Sequence, residues 1–159
     1  MDLFQMVRRS DDIGDVLSAI DSADINLTNR NHQNLLHEAI ARNKPDIAIE
    51  LIRRQIDLDC QDHVGMTPLH YAACYQSAKI AKLILDHGGN PSIQDRHGNS
   101  ALWYAVYEAK GEHYDLVKLL MNAGTDPFSK NLHGKSPYDF ASQINDTKLL
   151  QLLATESGN

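Results

Sequence analysis

Cysteine is scarce in this chain of 159 residues, which contains only Cys60 and Cys74. Two cysteines are too few for a disulfide framework, and their spacing is not that of paired metal ligands. We interpret them as ordinary thiols and predict a reducing, cytoplasmic location. Long apolar runs are missing too, since the longest candidate, 101–106, is far shorter than the ~20 residues of a membrane-spanning helix. No apolar stretch follows Arg8 and Arg9, so we expect neither a secretory signal nor membrane association.

The chain also lacks an excess of basic residues. It has 15 lysines and arginines against 21 aspartates and glutamates, a formal net charge of −6 at pH 7. Because phosphate binding needs a net basic surface, this balance predicts no nucleic-acid partner. Hydrophobic residues make up 42% of the chain and charged residues 23%, a balance typical of one folded globular domain and not of disorder.

Motifs that carry catalysis or bind metals are missing as well. The sequence contains no glycine-rich phosphate loop, no G-x-S-x-G and no kinase-like set of motifs. His37 and Glu38 begin like a zinc-protease helix, but Ala41 stands where the second histidine would be. No other group of His, Cys, Asp or Glu has metal-ligand spacing. We therefore predict no catalytic residue, no metal and no cofactor, so that the chain is not an enzyme.

The sequence does contain a repeat of 33 residues. The clearest copy reads D-H-V-G-M-T-P-L-H-Y-A-A from Asp62 and continues K-I-A-K-L-I-L-D-H-G-G-N-P. The next reads D-R-H-G-N-S-A-L-W-Y-A-V from Asp95, and a later one reads N-L-H-G-K-S-P-Y-D-F-A from Asn131. In the other direction, His37 lies 33 residues before His70. One such unit cannot bury its apolar face alone, so several copies must stack.

Each copy carries turn and helix signals in the same order. A glycine predicts a tight turn with positive φ, at Gly65, Gly98 and Gly134. A hydroxyl residue then predicts a helix start, at Thr67, Ser100 and Ser136, and Pro68 and Pro137 suit the first helical turn. A second apolar-periodic helix follows, and Gly88 and Gly124 are predicted to end it in the left-handed conformation.

The recurring T-P-L-H-Y-A core at 67–72 resembles the ankyrin repeat. The resemblance implies an all-α-dominated solenoid, a single ankyrin-repeat domain of stacked helix-turn-helix units with projecting β-hairpin loops. It divides the chain into an N-terminal cap (1–28), full repeats (29–61, 62–94 and 95–130) and a C-terminal cap repeat (131–159). It further implies a structural hydrogen-bonding role for His37 and His70, and a protein partner for a chain that is a monomer on its own.

Three departures from the pattern stand out. His32 occupies the position of the turn glycine, and Trp103 replaces the histidine of the third full repeat. The spacing from Gly98 to Gly134 is 36 residues, and the extra three fall near Ala109, between the two helices of that repeat. This insertion is either a contact loop or a neutral change of length.

The resemblance implies that partners contact the hairpin tips and the exposed, concave side of each first helix. The candidate tip residues are Arg30, His63, Met66, Arg96, His97, His133 and Lys135. The tip positions contain no carboxylate, which favours a partner with an acidic strip. Ordinary polar variation at exposed positions is the alternative.

The first helices of the two central repeats are rich in aromatic residues. The candidate binding residues there are Tyr71, Tyr75, Trp103, Tyr104 and Tyr107, with the adjacent Glu108. Exposed Trp and Tyr clusters are typical of binding hot spots. Packing between repeats is the alternative interpretation, above all for Tyr71 and Tyr104, which lie one repeat apart.

These features predict a non-catalytic protein-binding module that acts as an inhibitor or adaptor through its concave face. Compact stand-alone ankyrin proteins of bacteria, which the chain resembles in length and irregularity, include immunity proteins that neutralise a cognate toxin. We therefore expect a toxin or an inhibited enzyme as the partner. The alternative is a structural scaffold subunit of a larger complex.

Overall fold

A computed structural model describes residues 2–10 and 12–155, which form ten α-helices and no strand. The helices are α1 (Leu3–Arg9), α2 (Ile13–Asp21), α3 (Leu35–Ala41), α4 (Pro45–Arg53), α5 (Pro68–Cys74), α6 (Ala78–Asp86), α7 (Ala101–Glu108), α8 (Asp115–Asn122), α9 (Pro137–Gln143) and α10 (Thr147–Ala154). Consecutive helices pair, α1 with α2 through α9 with α10. The predicted all-α solenoid is confirmed.

The pairs stack so that two helical layers run along the molecule. The first helices (α1, α3, α5, α7, α9) each contact the next first helix, and the second helices (α2, α4, α6, α8, α10) do the same. One continuous core lies between the layers, because equivalent residues such as Leu36, Leu69 and Leu102 are buried in every central repeat. Alanines such as Ala72 and Ala105 let neighbouring first helices approach closely.

The predicted turn and capping residues occupy the predicted positions. Gly65, Gly98 and Gly134 have φ of 85°, 76° and 69°, and His32 takes φ 59° at the equivalent position of the first loop. Thr67, Ser100 and Ser136 are N-cap residues with extended backbone. Gly88 and Gly124 follow the second helices with φ of 92° and 82°.

The loops that project from the stack follow the path of hairpins but contain no strand within the described ranges. Each is a short turn closed by two backbone hydrogen bonds, for example from Asp62 N to Met66 O and from Gly65 N to Asp62 O, both at 2.9 Å. Each turn spans only five residues, which is too short for two strands with paired backbone hydrogen bonds.

The N-terminal segment contains a helix that the sequence pattern did not identify. Helix α1 precedes α2 within the predicted N-terminal cap and packs on α3. Phe4 and Val7 of α1 are buried, and the Arg8 guanidinium forms two hydrogen bonds, of 2.8 and 3.0 Å, with the buried Glu38 carboxylate. A contact thirty residues away along the chain therefore attaches α1 to the stack.

The three extra residues lie in the turn between α7 and α8, where they were predicted. Lys110 and Gly111 both have positive φ there, at 49° and 82°. Tyr114 at the end of the turn is 5% exposed, and its hydroxyl donates to Asp146 Oδ2 at 2.8 Å in the last helix pair. Tyr114 thus ties the end of this turn to the neighbouring helix pair, while Lys110 and Gly111 are exposed.

Candidate protein-binding surface

Four loops share one anchoring device. Asn29, Asp62, Asp95 and Asn131 begin these loops, and in each the side-chain Oδ1 accepts backbone N–H groups two and four residues ahead. The distances lie between 2.8 and 3.2 Å. Because both donors belong to the loop itself, this anchor fixes the loop's shape before any partner binds.

Neighbouring loops are also hydrogen bonded to each other. His63 N donates to Asn31 O, Arg96 N to Val64 O, and Leu132 N to His97 O, each at 2.9 Å. The four loops therefore form one continuous ladder along the edge of the stack, and residues at their tips are held side by side.

Two buried histidines link first helices to the loop of the following repeat. The Nε2 atoms of His37 and His70 lie 3.0 Å from the carbonyl oxygens of Met66 and Asn99. The Nδ1 of His70 accepts the Thr67 N–H at 3.1 Å, so Nε2 carries the proton and donates. The structural role that the resemblance implied for these histidines matches this geometry.

Burial lowers the pKa of both histidines below the ordinary value of 6.5, although the backbone carbonyl that each ring faces works in the opposite direction. The rings are therefore neutral near pH 7. Within the described ranges, no group of three His, Cys, Asp or Glu side chains could hold a metal ion. The histidines contribute hydrogen bonds between repeats.

Each of these links is accompanied by a ring from the following first helix. Tyr71 lies edge-on to His37 at 4.9 Å between ring centroids, and Tyr104 lies edge-on to His70 at 5.9 Å. The Tyr71 hydroxyl donates to Asp62 Oδ2 at 2.9 Å, and the Tyr104 hydroxyl to Asp95 Oδ2 at 2.6 Å. Burial, together with the adjacent carboxylate, raises the pKa of both phenols.

These contacts give Tyr71 and Tyr104 a structural role, in agreement with the packing alternative. Both side chains are half-buried, so their remaining surface still borders the exposed side of the first helices. Their assignment to a binding site stays a prediction.

The third full repeat departs from this arrangement. Trp103 occupies the histidine position, and its ring lies 5.8 Å from that of Phe140 on α9. Phe140 also lies 5.4 Å from Tyr107, so three rings form one cluster. Sequence reasoning did not select Phe140, although it becomes the equivalent of Tyr71 and Tyr104 once the three inserted residues are counted.

Two tyrosines expose more than half of their surface. Tyr75 is 57% exposed directly after α5, where its ring lies 6.4 Å from that of Tyr71, and Tyr107 is 52% exposed near the end of α7. We group these two with the half-buried Trp103 and Phe140 under the name aromatic patch. Glu108 lies beside it, with its carboxylate 3.0 Å from Lys110 Nζ.

The predicted tip residues, except Met66, lie exposed along the loop ladder. We call the exposed basic side chains of these loops the tip row, which comprises Arg30, His32, His63, Arg96, His97, His133 and Lys135. Met66 is half-buried, and its carbonyl is the acceptor of the His37 link. The structure thus gives Met66 a role in loop anchoring, while its assignment to a binding site stays a prediction.

The two cysteines lie apart from any reactive arrangement. Both are free thiols and half-buried. Burial, with a smaller contribution from Glu108, raises the pKa of the Cys74 thiol to about 12, so the thiolate is disfavoured. No helix of the described part of the chain is long and apolar enough to cross a membrane.

Comparison with known proteins agrees with this architecture. The family model described as ankyrin repeats in three copies matches residues 3–95 and 36–131. Ankyrin repeats generally mediate contacts between proteins, and the family is generally non-catalytic.

Relatives of several kinds share the repeat. The B-cell lymphoma 3 protein homolog of Mus musculus is 32% identical over 126 residues, which cover 77% of this chain and 27% of that protein. An ankyrin repeat-containing protein of Treponema pallidum is 29% identical over 120 residues, covering 75% of this chain and 39% of that protein. Intracellular phospholipase A2 of Caenorhabditis elegans is 28% identical over 156 residues, covering 80% of this chain and 14% of that protein.

The chain thus spans well under half the length of these relatives. The match of the family model from residue 3 to residue 131 extends over most of the chain. With the stacked helix pairs and their linked loops, it shows that the chain belongs to the ankyrin-repeat family.

Proposed function

We propose that this chain is a non-catalytic inhibitor or adaptor that works by covering a surface of a partner protein with its first helices and loops. The observation that carries the proposal is the exposure of Tyr75 and Tyr107, at 57% and 52%, on neighbouring first helices. Tyr and Trp dominate binding hot spots because they bury a large rigid area at low entropic cost.

The packing around Tyr107 supports a preformed site. Its ring rests on Phe140, which also contacts Trp103, so the ring is supported from one side while more than half of its surface stays exposed. A ring held in place before binding loses little freedom on association, which favours affinity.

A variant that removes the two exposed rings tests this proposal. Tyr75→Ser/Tyr107→Ser should leave the far-ultraviolet circular dichroism unchanged, because both side chains are largely exposed. The protein most enriched by the wild-type chain from a lysate of its source organism is purified and titrated against both forms. We expect the variant to bind at least about thirtyfold more weakly, as hot-spot truncations do.

Phe128→Ser is the matched control, since Phe128 is 56% exposed but lies after α8, outside the aromatic patch. An equal dissociation constant for the tyrosine variant and the wild type would rule out the aromatic patch as the binding site.

We further propose that the partner is a toxin or another enzyme. This chain blocks it in the cytoplasm, as an immunity protein blocks its cognate toxin. The similarity to an ankyrin repeat-containing protein of Treponema pallidum supports a bacterial context for such an array. Co-expression with the product of the adjacent reading frame tests this proposal. The wild-type chain should restore growth, whereas the Tyr75→Ser/Tyr107→Ser variant should not. Growth that is unaffected by the adjacent product would contradict an immunity role.

A structural scaffold subunit is the second candidate function. The observation that favours it is the apolar exposure of the last helix pair and its loop, where Leu132 is 77% and Ile144 45% exposed. Light scattering of the purified chain separates the two proposals. A monomer at micromolar concentration agrees with the inhibitor or adaptor, whereas ordered oligomers would favour the scaffold.

A further inference from the structure

The tip row concentrates one type of charge on an acidic protein. Its seven side chains are all basic and all exposed: Arg30, His32, His63, Arg96, His97, His133 and Lys135. The loop ladder holds them along one edge, because each loop is hydrogen bonded to the next. The formal net charge of the whole chain is nevertheless −6 at pH 7.

The carboxylates of these loops face inward. Asp62 and Asp95 are 5% and 6% exposed. Each accepts two backbone N–H groups through Oδ1 and a tyrosine hydroxyl through Oδ2. They lie beneath the tips as anchors, and a partner reaching the tips meets the basic side chains first.

One further carboxylate lies near the end of the row. Asp139 accepts the Ser136 N–H at 2.9 Å, and this bond is the largest cause of its lowered pKa. Lys130 and Lys135 lower that pKa further by their charge. The negative charge of Asp139 therefore offsets part of the positive charge at this end of the row, and Asp2 lines a cavity shared with Arg30 at the other end.

Other carboxylates occupy the turns that follow the second helices. Asp59 Oδ1 accepts the Asn90 N–H at 2.8 Å, and Asp57 donates its own N–H to Asn26 Oδ1 at 2.8 Å. Asp24 and Asp126 take part in similar turns. These acidic groups thus lie in turns and not at the loop tips. A separation of acidic and basic groups over the surface orients a charged partner as it approaches.

We propose that the tip row binds a carboxylate-rich segment of the partner protein. The proposal rests on the protein-binding function proposed above and specifies the chemistry of the partner. Three of the seven side chains, Arg30, Arg96 and Lys135, are cations, and the four histidines add ring N–H groups that a carboxylate can accept. A nucleic acid is the less favoured ligand, because its phosphates would extend beyond this edge onto the acidic remainder of the molecule, whereas a short acidic segment need contact only the tip row.

A model peptide tests the proposal without knowledge of the partner. Binding of a fluorescein-labelled deca-glutamate peptide is measured by anisotropy at low salt. A labelled peptide of equal length made of glutamine and serine serves as the neutral probe. We expect the glutamate peptide to bind and the neutral one not to bind.

Two double variants locate the effect. Arg30→Glu/Arg96→Glu should weaken binding about tenfold, whereas Lys79→Glu/Lys118→Glu, which makes the same change in net charge on α6 and α8, should leave it within about twofold.

Several results would overturn the proposal: equal binding of both peptides, equal loss in the two charge-reversal variants, or tighter binding of single-stranded DNA of matched charge. The identified partner separates this inference from the function on which it rests. If Tyr75→Ser/Tyr107→Ser loses the partner while Arg30→Glu/Arg96→Glu keeps full affinity, the protein-binding site stands and the acidic-segment proposal fails.

Discussion

The junction between the second and third full repeats and the junction between the third and the last are held by different side chains. Where the second repeat meets the third, His70 bonds to the Asn99 carbonyl and Tyr104 closes the contact through Asp95. Where the third meets the last, Trp103 packs on Phe140. Asn131 stands in place of the aspartate there, and a phenylalanine has no hydroxyl to offer it. The histidine and tyrosine links are thus replaced together, while Asn131 Nδ2 still donates to Asn99 Oδ1 across the junction at 2.8 Å.

The difference shows how a repeat array can build a binding surface without losing its stack. His70 satisfies its ring nitrogens with the Thr67 N–H and the Asn99 carbonyl, and Tyr104 bonds through its hydroxyl to Asp95. Trp103 and Phe140 instead contact each other through their rings, and Phe140 supports another aromatic, Tyr107, that remains 52% exposed. We therefore expect stability to depend most on the polar junction, and we propose that binding depends on the apolar one.

The largest expected effect is the loss of the polar link. His70→Ala leaves the buried Thr67 N–H without its acceptor and removes one of the two donors to the Asn99 carbonyl, and should lower the free energy of unfolding by about 2–4 kcal/mol. Trp103→Ala removes apolar contact from a half-buried ring and should cost less, about 1–2 kcal/mol. Urea unfolding measures both free energies. Equal losses of stability in the two variants would contradict the idea that stability depends most on the polar junction.

Acid should weaken the polar junctions specifically. Burial lowers the pKa of His37 and His70 below 6.5, so the unfolded chain binds protons more strongly than the folded chain does. Their contribution is fully present above about pH 6.5 and is lost as the pH falls below that value. Burial opposes the ionisation of Glu38, but the hydrogen bonds from Arg8 and Arg42 lower its pKa below 4.5, so its effect begins at lower pH.

Unfolding between pH 7 and pH 5 therefore reports on the histidines. We expect stability to decrease over this range in the wild type and to decrease less steeply in His70→Gln. Identical slopes for the two proteins would contradict the assignment of the acid sensitivity to this junction.

A smaller difference should separate two loop glycines. A Cβ added to Gly98 would lie 3.0 Å from the backbone nitrogen of Leu132, whereas one added to Gly134, in the last loop, meets nothing within 4 Å. Both residues have positive φ, so each alanine substitution costs about 1 kcal/mol from backbone strain. Gly98→Ala should cost about 1–2 kcal/mol more, because it also displaces the neighbouring loop. Thermal unfolding of the two variants should rank them in that order.

The smallest expected effect comes from rebuilding the polar pair at the apolar junction. Phe140→Tyr or Asn131→Asp alone should change stability little or unfavourably. Together they recreate the hydroxyl–carboxylate bond that joins Tyr104 to Asp95, with a favourable coupling of about 0.5–1 kcal/mol. A double-mutant cycle in urea measures the coupling, and a value of zero would show that Phe140 does not occupy the position of Tyr104.

Much of the fold could be predicted because its signals are local. Gly65 and Gly98 identify their turns by a conformation that other residues avoid, and Thr67 marks a helix start from its own position. His32 shows the limit of this reasoning, because it adopts the same turn without the glycine. Its loop is held by Asn29, whose Oδ1 accepts N–H groups at 2.8 and 3.2 Å, as in the other loops.

Features that depend on contacts between residues far apart in the chain could not be predicted from the sequence. Helix α1 has no repeat signature and is attached by Arg8 and Glu38, thirty residues apart. Phe140 belongs to the aromatic patch only through its contact with Trp103, across the inserted residues. The anchoring role of Asp62 and Asp95 had a signal in their regular spacing, yet their burial could not be read from residue type, since aspartate is usually exposed.

The position of the three-residue insertion has a consequence for how such a surface can vary. It lengthens the turn between α7 and α8, and the bond from Leu132 N to His97 O is still 2.9 Å, as in the two preceding loop contacts. The side chains at the tips therefore stay in phase across a repeat of unequal length. The same three residues placed in the loop itself would shift every later tip out of register with a partner. The turn between the two helices is therefore where a change of length is tolerated, and the loop ladder keeps the tips aligned for recognition.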